Sequence, residues 1–201
     1  MNIVVCSDGR CGSLWLTFAI AHKLKRSFGW LDEGLCENTV HMTHVFELIE
    51  SFDGLVIHST RRNALDHFIA TVFYDRVMCK DEEWVNFSNS IGIWSHIHDD
   101  EKRKPILTKK FKEMVERTRI RVYRKEFEDF MQARNKNKQF INAYGGLKHT
   151  IYYEDLFDGI TIPELSIGTI SFEQKGIFAK LPYDKTDIVT NYKEIEEWFI
   201  N

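Results

Sequence analysis

The first sixteen residues constrain the fold of this chain more than any other stretch. Ile3-Val4-Val5 is a short apolar run, Ser7-Asp8-Gly9-Arg10-Cys11-Gly12 is a polar turn with two glycines, and apolar periodicity begins at Trp15. Strand, small-residue loop and helix N-terminus in that order form an anion-binding cradle, because N–H groups of the loop and first helical turn converge on one spot. Gly9 and Gly12 allow close backbone approach, and Arg10 adds a fixed positive charge. The start of the chain therefore reads as a phosphate grip.

The rest alternates strand and helix, which predicts an α/β fold: a single P-loop-like, three-layer domain over 1–201, around a mostly parallel sheet of 4–5 strands. Strands are expected at 2–6, 38–43, 55–58 and 147–153. Helices are expected at 13–28 with Gly29 as C-cap, at 44–52, at 62–79, from Pro105 to about 134, and after an N-cap at Thr190. Residues 80–145 read as a helical insertion between the recognisable motifs, a candidate acceptor-binding region.

No apolar run reaches the roughly 18–20 residues of a membrane span. The N-terminal apolar run is too short for a signal peptide. Cys6, Cys11, Cys36 and Cys79 lack metal-like pairing. A cytoplasmic protein with thiols in a reducing compartment is expected. The net charge of −3 is uneven. Residues 101–140 hold 14 Lys and Arg against 6 Asp and Glu, a local +8, so the remainder carries −11. Such a segment is a solvated helix face or a surface for an anionic partner, and the solvated face is the simpler reading.

The strand at 55–58 runs straight into Ser59-Thr60-Arg61-Arg62-Asn63 and a helix. Ligands of open parallel sheets bind beyond the carboxyl ends of the strands. Arg10 and Arg61/Arg62 are thus expected on one edge, as two phosphate-binding elements for a ligand with two separated phosphates.

This pair of motifs resembles the sulfotransferase family that uses 3′-phosphoadenosine 5′-phosphosulfate (PAPS). Ser7, Arg10, Gly12, Ser13, Trp15 and Leu16 match its first signature, where Cys11 and Leu14 replace hydroxyl residues. Val56, Ile57, Thr60, Arg61, Arg62 and Asn63 match the second, with Ala70 at a serine position and Thr71 beside it. Tyr153-Glu154-Asp155-Leu156 and Asn191-Tyr192-Lys193-Glu194 are similar to two later segments of the family. The resemblance implies sulfuryl transfer from PAPS to a hydroxyl of a carbohydrate or small molecule, without a required metal. It implies that Ser7, Arg10, Cys11, Gly12, Ser13, Leu14 and Trp15 bind the 5′-phosphosulfate. Arg61, Arg62, Asn63 and Thr71 would hold the 3′-phosphate, and Arg10 would also neutralise charge on the leaving oxygen. A Walker loop would need a Lys after its last Gly, whereas Gly12 is followed by Ser13-Leu14. A metal-free cationic site suits the less charged sulfuryl group.

Transfer to an alcohol needs a general base. By likeness to one branch of the family, Gly29-Trp30-Leu31-Asp32-Glu33 nominates Glu33; by likeness to another, His41 or His44 precedes the second signature at the expected distance. Glu33 ranks first, then His41, then His44. His96-x-His98-Asp99-Asp100 reads as a solvated loop rather than a metal site, and Trp84, Phe87 and Trp94 as core or acceptor pocket. Two other readings stand behind: a nucleotide-binding protein that has lost turnover, and a nucleic-acid-binding protein using the basic 101–140 helix. The acceptor and the oligomeric state stay open.

Overall fold

The computed structural model describes residues 1–90, 103–170 and 184–200. Trp94 and the His96–Asp100 segment lie outside them. The fold is α/β: five parallel strands in the order β2-β3-β1-β4-β5, flanked by helices. The strands are β1 (Asn2–Ser7), β2 (Ser27–Trp30), β3 (Thr39–Thr43), β4 (Gly54–Thr60) and β5 (Leu147–Tyr152). The described residues gather into two compact units. One comprises Met1–Arg62 with 131–170 and holds the entire sheet; the other comprises the described part of 63–130 with 184–200 and is helical.

β1, β3 and β4 are near-continuous apolar or β-branched runs because they are buried on both faces. Ile3 lies in register with Val40 and Leu55, and Cys6 with Thr43 and His58. The β1-to-β2 connection runs through α1 (Ser13–Leu24), while the β3-to-β4 connection runs the other way along the sheet. Right-handed crossovers in opposite directions cover opposite faces. Accordingly, Val4, Cys6 and Val56 on one face pack with Phe46, Ile49 and Phe52 of the β3–β4 connection and with Ile141 and Tyr144.

Four expected boundaries shift. α1 stops at Leu24, where Lys25 takes a left-handed conformation (φ 54°) and its N–H reaches back to the helix. Phe28-Gly29, expected to end that helix, instead lie inside β2, where a Cβ on Gly29 would stand 3.1 Å from Thr39 Cγ2. The 44–52 helix is only a 3-10 turn, Phe46–Ile49, and the 62–79 helix is α2 (Ala64–Phe73) continued by a π turn, Tyr74–Met78.

The helical unit further holds α3 (Glu82–Ser90), α4 (Arg103–Arg117) and the start, through Phe130, of α5 (Arg124–Ala143). The single helix expected over 105–134 is therefore two. Between them, Thr118–Tyr123 alternates charged and β-branched residues, a period of two that suits extended chain. Ile120 there forms a parallel bridge with Val189. The last helices are α6 (Lys185–Ile188) and α7 (Tyr192–Ile200). Thr190 does not cap α7; its hydroxyl faces the Ile120 carbonyl at 3.3 Å. Buried Asn191 clamps both backbone groups of Val122 and also reaches Glu194. Among the described residues no helix is long and apolar enough to cross a membrane.

Candidate functional site

β1 leads through α1 to one side of the sheet, and β4 leads eventually to β5 on the other. Neighbouring strands whose connections diverge leave a crevice beyond their carboxyl ends, where ligands of open parallel sheets bind. The Ser7–Gly12 loop leaves one of those ends and Thr60-Arg61-Arg62 the other.

The loop is wound left-handed at three of its residues: Gly9 (φ 79°), Arg10 (φ 50°) and Gly12 (φ 71°). Such a winding turns successive N–H groups to one side. Arg10 is the costly member, because a side chain rarely adopts this conformation unless its surroundings impose it. The surroundings are visible. Arg61 Nε donates to the Arg10 carbonyl at 2.9 Å, the Ser59 hydroxyl to the Cys11 carbonyl at 2.8 Å, and Gly9 N to Ser7 Oγ at 3.1 Å. The Cys11 thiol donates to the Gly9 carbonyl at 2.9 Å. Burial pushes that thiol well above its usual range, so Cys11 braces the loop as a neutral group. Gly12 caps α1 without a side-chain bond, and no acidic residue sits in the first turn of the helix. The positive end of the α1 dipole therefore meets no local carboxylate on its own helix.

The third matched segment meets the first two. Tyr153–Phe157 forms a 3-10 turn directly after β5. Tyr153 and Leu156 press on Gly12, where an added Cβ would lie 3.2 and 3.1 Å from them. Arg61 stacks on the Tyr153 ring, 4.1 Å from its centroid. Arg62 forks onto Asp155 through two bonds, takes Glu154 on its backbone N–H at 3.1 Å, and lies 4.3 Å over Tyr152. Arg62 is thus a strap between β4 and the turn after β5, and a phosphate there would compete with Asp155.

Ser7, Arg10, Cys11, Gly12, Ser13, Leu14, Trp15, Arg61 and Arg62 share the first unit, in the loop, the opening turn of α1 and the end of β4. Ser13 is buried, and its carbonyl accepts from Thr17. Asn63 and Thr71 fall in the helical unit. Asn63 caps α2 by accepting from Asp66 N at 3.0 Å, and the Thr71 hydroxyl donates to the His67 carbonyl at 2.9 Å.

The three base candidates separate. Glu33 is exposed in a 3-10 turn after β2. His41 is buried within β3; its Nε2 accepts from Cys36 N at 3.1 Å, and burial holds its basicity below the usual imidazole range. His44 lies just beyond β3, exposed, with Nδ1 2.9 Å from the Ser7 carbonyl. A carbonyl only accepts, so Nδ1–H is the donor in this contact, and Nε2 is the ring nitrogen left facing away from it.

Asp8, Arg134 and Asn137 escaped the sequence reading. Asp8 accepts from the Thr60 hydroxyl at 2.6 Å and from Asn137 at 3.1 Å, and faces His58 Nε2 at 3.5 Å. Burial alone would raise this carboxyl, but the nearby His58 and the bonds from Thr60 and Asn137 outweigh it and hold it below the usual carboxylate range. Arg134 donates to the Arg61 carbonyl. The only sequence signal for the α5 pair was their spacing of three, which places them on one helix face. No protein-family model, curated protein or solved structure matches this chain.

Proposed function

We propose that the protein is a sulfotransferase that moves a sulfuryl group from PAPS to a hydroxyl of a carbohydrate or small-molecule acceptor. One observation carries this reading. Three segments far apart in sequence, Ser7–Trp15, Thr60–Arg62 and Tyr153–Leu156, lock together at the carboxyl ends of β1 and β4. The residues there fit an anionic nucleotide: a left-handed loop, an α1 N-terminus without a side-chain cap, and guanidinium groups held against carbonyls and rings.

When bound, PAPS supplies the sulfuryl group and leaves as adenosine 3′,5′-bisphosphate. Arg10 and the first N–H groups of α1 hold the phosphosulfate and receive the charge that grows on the departing phosphate oxygen. His44 takes the acceptor hydroxyl proton on Nε2 as the new S–O bond forms and the P–O–S bridge opens at sulfur. Its Nδ1–H stays on the Ser7 carbonyl, which fixes the ring beside the loop. Calorimetry with adenosine 3′,5′-bisphosphate in the presence of a chelator tests the site, and absence of binding to folded protein overturns the reading. His44→Gln should lower transfer to a panel of carbohydrate alcohols by roughly 10²–10⁴-fold and leave bisphosphate affinity nearly unchanged.

A second reading, nucleotide binding without turnover, draws on the Arg62–Asp155 fork and on Leu14 and Ala70 at hydroxyl positions. It predicts bisphosphate binding with no transfer to any acceptor and no effect of His44→Gln.

A further inference from the structure

The loop that would receive the phosphosulfate carries a negative charge of its own. Asp8 stands two residues before Arg10, and its side chain is only 5% exposed. Oδ2 takes the Thr60 hydroxyl and faces His58, and Oδ1 takes the Asn137 amide. Both oxygens are engaged by protein donors, so Asp8 meets a ligand as a fixed charge rather than as a hydrogen-bond partner. His58 is the imidazole that faces it, and guanidiniums brace the backbone of the same loop and strand end. Arg61 bonds the Arg10 carbonyl, and Arg134 bonds the Arg61 carbonyl. Arg62 is committed to Asp155. The cradle is thus cationic, yet trimmed by one buried anion that no anion-binding role requires.

A buried charge is felt strongly because the local dielectric is low and salt screens it little. It acts on every ligand, but its cost grows with each further negative charge placed in the loop. A terminal sulfate ester carries one negative charge, and a terminal phosphate ester carries up to two near neutral pH. We propose that Asp8 is a specificity-determining residue that makes the loop favour a singly charged sulfuryl terminus over the doubly charged phosphoryl terminus of the same shape. This inference rests on the reading of the site as a PAPS site. It assigns to the Asp8 network the discrimination against 3′-phosphorylated adenosine diphosphate, the isostere that differs from PAPS only in that terminal group.

The test is calorimetry at about pH 8, where the terminal phosphate is fully ionised. The ligands are PAPS, 3′-phosphoadenosine 5′-diphosphate and adenosine 3′,5′-bisphosphate. The unaltered protein should prefer PAPS over the diphosphate by about tenfold or more. Asp8→Asn should tighten the diphosphate by about tenfold and bring the two ligands within roughly threefold of each other. A merely structural role would weaken all three ligands together and leave their ratio alone. Equal affinity of the unaltered protein for PAPS and the diphosphate overturns the inference even if Asp8→Asn does not fold, and so does an unchanged ratio in a folded variant. Binding of the bisphosphate with no preference between the other two removes this inference but keeps the site. Binding of none of the three removes both.

Discussion

Two regions of this protein are rich in positive charge, and they treat it in opposite ways. Between residues 110 and 125 several cations meet carboxylates: Lys110 pairs with Glu113 and Glu83, Arg117 with Asp81 and Glu83, Arg121 with Glu194, Arg124 with Glu128, and Lys125 with Asp129, while Arg119 donates to the Thr186 and Asp187 carbonyls. At the carboxyl ends of β1 and β4, Arg61 and Arg134 instead donate to backbone carbonyls, and Arg61 lies on an aromatic ring. Among the described residues neither has a carboxylate partner. Charge density in the sequence is by itself a weak guide to a ligand site, because paired charges are already answered by the protein itself. On the proposed reading, Arg61 and Arg134, fixed by neutral groups, keep their field for a ligand, while Arg62 is answered by Asp155.

The sharpest way to break this contrast is to remove the charge at the loop. Arg10→Ala should weaken adenosine 3′,5′-bisphosphate by about 100-fold, the scale of a charge-assisted contact in a low-dielectric pocket. Calorimetry on the folded variant measures it, and a change under threefold would return the loop to a purely structural role.

The next effect acts through shape. Gly12 has φ 71°, and a Cβ there would meet Leu156 at 3.1 Å and Tyr153 at 3.2 Å. Gly12→Ala should cost about 1–3 kcal/mol of stability, from the left-handed backbone together with the crowding. Urea denaturation reads the loss. Gly9→Ala carries the same kind of backbone strain at φ 79°, but nothing lies within 4 Å of its added Cβ, so it should cost less. Equal losses would mean that the turn after β5 does not press on the loop.

Asp8 supplies a pH signature. Its folded carboxyl is held below the usual value of about 3.9, so it stabilises the fold above that value and ceases to do so as pH falls through the folded value. The urea midpoint of the unaltered protein should therefore drop as pH falls below the usual carboxylate value, and Asp8→Asn should flatten that drop. Parallel profiles would show that the Thr60, Asn137 and His58 contacts do not favour the ionised form.

The sheet and its loop were legible because their signals are local. Buried parallel strands write apolar runs, and a tight loop needs glycine where the backbone turns left-handed. Gly9 and Gly12 advertise that need, and the Arg61-Arg62 pair after β4 advertises a second element on the same edge. What each arginine does was not legible. Arg62 became a strap because Asp155, 93 residues away, reaches it, and no local pattern encodes such a pairing. The surroundings of the base candidates were not legible for the same reason. His41 and His44 differ by three residues, yet the strand buries one and its end exposes the other. Helix ends went astray where Phe28 and Ile120, equally at home in either structure, sit on extended chain held by distant partners.

The smallest expected effect belongs to the most basic sequence. Lys109 and Lys110 both pair with Glu113 on their own helix, and Lys110 also with Glu83. Exposed pairs of this kind contribute at most about 1 kcal/mol each and are screened by salt. Replacing Lys109, Lys110 and Lys112 together by Ala should therefore change bisphosphate affinity by less than about threefold, and lower stability only slightly. The same variant measured against DNA and RNA across a salt series decides whether this stretch has a partner of its own. A nucleic-acid surface would show affinity falling linearly with salt on logarithmic axes, with a slope that shrinks by nearly one for each phosphate-contacting lysine removed. A flat profile in both proteins leaves the loop between β1 and α1 as the place where the chain meets an anion.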